Sequence, residues 1–219
     1  MTKILLLISV IFNILLGILI TRPRVPPQIY YTVSEVIDGD SFVIVENKQS
    51  IRLTNVNAPE QGLCGYQQAK DELTKLLQGK QIKIVGSEND KHNRFLALVY
   101  LPDNTLVNES LLNSGWVRYT SNASSESARL QKAGATAKSQ KIGIFSPLCF
   151  QSTNPNNPKC SIKGNVKDGK KIYFFEGCGN YSNVELSLDE GDQWFCSEVE
   201  AQQAGFIKSE NCYTKKFEL

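Results

Sequence analysis

The period of apolar and polar residues changes several times along the chain. Tyr31–Ile37 and Ser41–Glu46 are rich in β-branched and aromatic side chains and read as strands. The polar Asn47-Lys48-Gln49 turns the chain into a third strand, Ser50–Val56. The period then lengthens: Tyr66, Ala69, Leu73, Leu76 and Leu77 recur at helical spacing, and Gly79 closes that helix. Strands Gln81–Val85 and Phe95–Leu101 follow, with Pro102-Asp103-Asn104 as a turn. Val107, Leu111 and Leu112 mark a short helix ended by Gly115, and a last helix runs from Ser124 or Ser125 to Lys141, stopped by Gly143. Three strands, a helix, two strands and two helices predict an α+β body over residues 29–150. Its centre would be an OB-like five-stranded β-barrel with one strand face and its loops free for a ligand.

The pattern outside this body differs. Ile4–Ile20 is an apolar run at the short end of what spans a bilayer, followed by the stiff Arg22-Pro23-Arg24-Val25-Pro26-Pro27. No Ala-x-Ala-like cleavage site follows it, so residues 1–28 read as an uncleaved single-pass membrane anchor with its linker, and a secreted form is the alternative. Residues 151–159 are rich in Asn and Pro and read as a linker. Residues 160–219 hold strand patterns at Ile162–Val166 and Lys171–Phe175 around an Asp168-Gly169 turn. Ser197 and Glu200 form a capping-box pattern for a helix that Gly205 ends.

Composition narrows the possibilities. The 219 residues are 41% hydrophobic, enough for a packed core. A net charge of +2 excludes a strongly basic nucleic-acid-binding tail, so phosphate binding must rest on a few placed cations. The six cysteines, Cys64, Cys149, Cys160, Cys178, Cys196 and Cys212, all follow the apolar run and include no Cys-x-x-Cys pair. That favours disulfides over zinc and puts the folded part outside the cytoplasm. Six cysteines allow fifteen pairings. If each folded unit closes its own bridges, Cys64 pairs with Cys149, and Cys160–Cys212 and Cys178–Cys196 staple a C-terminal unit too small to trust its core alone.

Three segments hold candidate chemistry: Val36-Ile37-Asp38-Gly39-Asp40-Ser41-Phe42, Ile51-Arg52-Leu53-Thr54-Asn55-Val56-Asn57-Ala58-Pro59-Glu60, and Asp90-Lys91-His92-Asn93-Arg94-Phe95-Leu96-Ala97. They place carboxylates and two arginines near strand ends. Phosphodiester cleavage uses such a set: carboxylate oxygens for a hard cation, a carboxylate to take a proton from water, and guanidinium forks for phosphate oxygens. Each residue also has a bland reading. Asp38-Gly39 is read as a turn, Asp40 could be a surface carboxylate, and Arg94 could be a solvated turn residue. Arg52 inside an apolar strand demands a partner. His92 is the sole histidine, which excludes a histidine pair or triad, and is read as a turn residue.

In this order and spacing the three segments resemble the staphylococcal nuclease (thermonuclease) family, whose pattern runs Val/Ile-Asp-Gly-Asp-Thr/Ser, Arg-Leu-x-x-Val/Ile-Asp-x-Pro-Glu and Asp-Lys-Tyr-Gly-Arg. The likeness covers about Thr32 to Phe145. It implies Ca2+ held by Asp40, the Asn57 side chain and the Ala58 carbonyl. It also implies phosphate contacts from Arg52 and Arg94, and Glu60 as general base. Asn57 departs from the family aspartate and His92-Asn93 from Tyr-Gly. An uncharged ligand at position 57 predicts weaker calcium binding. Tyr119, near Trp116, is a candidate to stack on a base of the substrate, with packing at the barrel rim as the other reading. Ile162-Lys163-Gly164-Asn165, Lys171-Ile172-Tyr173, Trp194-Phe195-Cys196-Ser197-Glu198 and Glu200-Ala201 resemble a short C-terminal module of bacterial exported proteins, the sunset domain. The expectation is a monomeric calcium-dependent nuclease acting on DNA or RNA at the extracytoplasmic face of the membrane. The alternative is a catalytically weak or inactive OB-type nucleic-acid-binding module.

Overall fold

The computed structural model describes residues 28–212. The apolar run Ile4–Ile20 lies outside the described residues. Among those described, no helix is long and apolar enough to cross a membrane.

The body opens with β1 (Tyr31–Val36), β2 (Ser41–Ile44), β3 (Ser50–Leu53) and the short β4 (Val56–Asn57). Helix α1 (Tyr66–Leu77), β5 (Gln81–Asn89), β6 (Phe95–Tyr100), α2 (Val107–Ser114), β7 (Arg118–Tyr119) and α3 (Ser127–Ser139) complete it. Five strands close into a barrel in the order β1-β2-β3-β6-β5, as the strand pattern predicts. Only the β3–β6 pairing is parallel, with Arg52 opposite Leu96. The predicted third strand is in fact two pieces. Asn55 takes φ 60° between them, so β4 leaves the barrel and pairs with β7 instead. Fully buried Asn55 holds this departure. Its amide donates to the Thr120 and Asn122 carbonyls, and its oxygen accepts from Ser124 Oγ.

Phe42, Ile44, Ile51, Leu53, Leu73, Leu77, Ile82, Val99 and Leu111 fill the interior, each at most 1% exposed. The apolar stripe of α1 covers one side of this core through Ala69, Leu73 and Leu77. Burial of this kind stabilises by about 1.5–3 kcal/mol per large aliphatic side chain.

The C-terminal unit has β9 (Ile162–Lys167), β10 (Lys170–Phe174), β12 (Gln193–Phe195) and β13 (Ile207–Lys208) in the order β12-β9-β10-β13, with α4 (Glu198–Gln203) packed alongside. Ser197 Oγ accepts from the Glu200 N–H, as the cap pattern predicts. Glu200 reaches back to the N–H of Cys196 rather than to that of Ser197.

The bridges are Cys64–Cys149, Cys160–Cys196 and Cys178–Cys212. The first is as expected, and the expected Cys160–Cys212 and Cys178–Cys196 are both corrected. Strand register decides the difference. Phe195 pairs with Ile162, so Cys196 lies beside the segment leading into β9, where Cys160 sits. Cys178 and Cys212 face each other in an isolated antiparallel bridge.

Gln151, the first residue of the expected linker, belongs with Phe150 to strand β8, which pairs with β11 (Leu186–Ser187). Trp194 Nε1 donates to its side-chain oxygen at 2.8 Å. The two units are therefore joined by strand pairing as well as by chain.

Candidate active site

The turn between β1 and β2 sets the first candidate carboxylate. Asp38 Oδ1 accepts the Asp40 N–H at 3.0 Å, the side-chain turn that Asp-Gly favours. Gly39 is obligatory for a different reason: a Cβ there would lie 2.5 Å from Ala69 Cβ and 2.7 Å from Ala58 Cβ. The turn thus seats directly on α1 and on the segment after β4, and Asp40 is driven inward to 2% exposure.

Buried Asp40 is held from several sides. Its Oδ1 accepts from Arg52 Nη1 at 2.6 Å and from Ser41 Oγ at 2.8 Å, and its Oδ2 accepts the Ala58 N–H at 2.9 Å. Burial pushes its carboxyl up to about 6. Arg52 opposes that rise, nearby Asp38 adds to it, and the Ala58 and Ser41 donors oppose it. Arg52 is the charge inside an apolar strand whose partner the sequence left open, and its second fork nitrogen donates to Asn57 Oδ1 at 2.9 Å. One guanidinium therefore gathers both side chains that the resemblance assigns to a cation.

Arg94 is set by its own turn. Asp90 accepts the N–H groups of His92 and Arg94 and the Arg94 Nε at 2.8 Å. Burial of Asp90 is the largest single influence and raises its carboxyl, but the Arg94 and His92 donors and the guanidinium charge together outweigh it and hold the group at about 2. The single histidine contributes a backbone N–H here, and its side chain is exposed.

Asp40, Arg52, Ala58, Glu60 and Arg94 line one cavity of about 220 Å³ together with Ile37, Asp38, Pro59, Gln61 and Tyr66. Residues from four separate segments converge there. The sequence reading missed Asp38 and Tyr66, which it took for a turn former and a helix-face residue. Tyr66 follows the left-handed Gly65 and opens α1, a position a sequence does not distinguish from the rest of the apolar stripe. Exposed Asn57 stands beside the cavity through Arg52.

Tyr119 is not brought to the cavity. It pairs with Val56 and packs against the barrel core, close to Gly134 of α3.

A second hollow of about 230 Å³ shares no lining residue with the first. It is lined by Thr54, Val85, Gly86, Glu88, Leu96, Leu98, Ala123, Ser124 and Ser125.

The atoms the resemblance assigns to a cation, the Asp40 carboxylate, the Asn57 side-chain oxygen and the Ala58 carbonyl, are all oxygens with no soft ligand, which suits a hard cation. Among the described residues no three His, Cys, Asp or Glu side chains converge closely enough to chelate an ion alone. A cation here would need amide or backbone oxygens and water to complete its shell.

A family model described as Staphylococcal nuclease homologue matches residues 50–147. A protein named "Uncharacterized endonuclease" from Escherichia coli O157:H7 is 30% identical over 128 residues, spanning 57% of this chain and 82% of its own. A "Micrococcal nuclease" from Shigella flexneri is 26% identical over 126 residues, spanning 52% and 72%. The matched stretch carries Arg52, Asn57, Glu60 and Arg94 on the barrel just described, and on that kinship the chain belongs to the family of staphylococcal nuclease homologues.

Proposed function

We propose that the protein is a calcium-dependent nuclease that hydrolyses phosphodiester bonds of DNA or RNA on the extracytoplasmic side of a membrane. The observation that carries the reading is the convergence of Asp40, Arg52, Glu60 and Arg94 on one cavity from separate segments. The disulfides support an exported location.

Each residue has a task its surroundings permit. Exposed Glu60 accepts no side-chain hydrogen bond among the described residues, which leaves its carboxylate free to take a proton from attacking water. Arg94, oriented by Asp90, presents its fork to a non-bridging phosphate oxygen. Arg52 shifts part of its fork from Asn57 to the phosphate while Asp40 keeps its position. Asp40, Asn57 and the Ala58 carbonyl would hold calcium, which when bound polarises the phosphate and orients water. The amide at position 57 adds no charge, so calcium dissociates in the millimolar range typical of weak extracellular sites, about 10⁻⁴–10⁻³ M.

The test is cleavage of single-stranded DNA and of RNA by purified protein with several millimolar calcium and with chelator. Cleavage only with calcium supports the reading. Binding without cleavage moves the protein to the nucleic-acid-binding alternative, which the uncharged Asn57 favours.

A further inference from the structure

The turn Leu188–Glu190 of the C-terminal unit touches the nuclease body at two places, and both lead to the catalytic cavity. Arg118 in β7 donates through Nε to Asp189 Oδ2 at 2.6 Å and through Nη2 to Asp189 Oδ1 at 3.0 Å. Glu190 lies 3.3 Å from the same Nη2, and the guanidinium stacks on Phe145 at 5.2 Å. The Asp189 side chain is 1% exposed and that of Arg118 is 22% exposed. In the β4–β7 pairing Arg118 is the partner of Asn57, whose oxygen accepts from Arg52. At the second contact the Leu188 N–H donates to the Cys149 carbonyl at 2.8 Å, and its carbonyl accepts from the Cys64 N–H at 3.4 Å. Cys64 is bridged to Cys149 and ends the short loop that begins at Glu60, whose carbonyl accepts the Leu63 N–H.

We propose that the C-terminal unit is a brace for the active site, with Arg118 and Asp189 as positioning residues that fix the β4–β7 ribbon and the Glu60–Cys64 loop relative to Asp40. The inference rests on the nuclease reading for its effect on rate, but not for its effect on local order. Two-residue β4 pairs only with two-residue β7, so the ribbon has little order of its own. The bidentate pair fixes both the distance and the plane of its partners. A shift of about 1 Å in groups around a reacting phosphate can cost on the order of a hundredfold in rate.

The experiment uses the full chain and the variants Arg118→Met, which keeps an apolar stem, Asp189→Asn, which keeps shape, and Arg118→Lys, which keeps charge without the fork. Two readouts are taken well below the lowest melting temperature. One is kcat and KM on single-stranded DNA at saturating calcium, the other amide hydrogen exchange over residues 55–66. Arg118→Met and Asp189→Asn should lower kcat about tenfold or more with KM within about threefold. Exchange should rise over 55–66 while β5 and β6 stay protected, and Arg118→Lys should fall between. Arg118→Lys also serves if the harsher variants do not fold. Wild-type kcat in folded variants with unchanged exchange over 55–66 overturns the brace, even if melting temperatures drop. If the wild type cleaves nothing, the nuclease reading fails, and exchange over 55–66 alone decides the brace: faster exchange in the variants supports it, unchanged exchange rejects it.

Discussion

The nuclease body and the C-terminal unit are stabilised in opposite ways. The body closes a barrel around a continuous apolar interior, and its buried charge is concentrated at the Asp40–Arg52 pair that lines the candidate cavity. The C-terminal core has Ile162, Tyr173, Phe174, Phe175, Cys178, Phe195, Ala201 and Phe206 as its buried members. Around that small core the unit buries Lys163, Asp189, Asp192 and Glu198. Lys163 donates to the Tyr181 and Val184 carbonyls and lies 4.3 Å from the Tyr181 ring. Asp192 accepts from the Val166 and Ser187 N–H groups and from Asn165. Where apolar area is scarce, each polar group must be matched and covalent bridges limit the unfolded state. The large unit can carry one costly polar site on a rigid apolar scaffold, whereas in the small unit polar pairs are the scaffold.

The sharpest separation of the two units is functional. Glu60→Gln should cost about 10²–10⁴ in kcat with little change in melting temperature, because this carboxylate is exposed and contributes nothing to packing. Cleavage assays and calorimetry on one preparation check it. A near-normal rate would remove Glu60 as base.

Next in size is the paired change Cys178→Ser and Cys212→Ser. It should destabilise the C-terminal unit by about 2–5 kcal/mol, while the β1–β6 barrel keeps its amide protection. A simultaneous loss of protection in the barrel would show that the comparison is wrong and that both units fold as one.

Asn57→Asp is expected to lower the calcium concentration for half-maximal cleavage several-fold. A unit charge at about 4 Å is worth roughly 4 kcal/mol at an effective dielectric of 20, and exposure reduces that. Without calcium the added carboxylate gains its own attraction to Arg52 but meets Asp40, so the melting temperature should change little until calcium is added. A calcium titration of both forms measures this. An unchanged midpoint would mean that residue 57 does not face the ion.

The smallest effect concerns the Arg94 turn. Asp90 is held at about 2 in the folded protein, below its ordinary 3.8. Its stabilisation is therefore complete above pH 4 and is lost as pH falls from about 4 towards 2. Asp90→Asn should melt slightly lower than wild type at pH 6, and the gap should close across that window. Its activity should also fall, since Arg94 loses its orienting partner. A pH-independent gap would assign the effect to the turn backbone instead.

Much of the fold was legible because the body obeys local rules. The β-branched and aromatic runs of β1 and β2 and the helical stripe Ala69, Leu73, Leu77 mark their elements from local sequence alone. The candidate site was legible in part. Asp40, Arg52, Glu60 and Arg94 announce themselves by spacing within motifs, but Asp38 and Tyr66 do not, since a turn former and a helix-face residue look alike wherever the chain later folds. Tyr119 carried two readings for the same reason, and it is the β4–β7 pairing that places it against the core.

The order of strands and helices alone gives the elements and the five-stranded barrel, and the sequence also indicates the first disulfide and the set of charged residues that could act together. It did so because hydrophobic period, turn chemistry and motif spacing are local and survive without coordinates. That Cys160 meets Cys196, that Arg52 bridges Asp40 and Asn57, and that Arg118 reaches Asp189 across the two units emerge from the folded chain alone. These are matters of strand register and of contacts between distant segments. A one-residue shift in register leaves composition and period unchanged, yet sends every side chain to the other face.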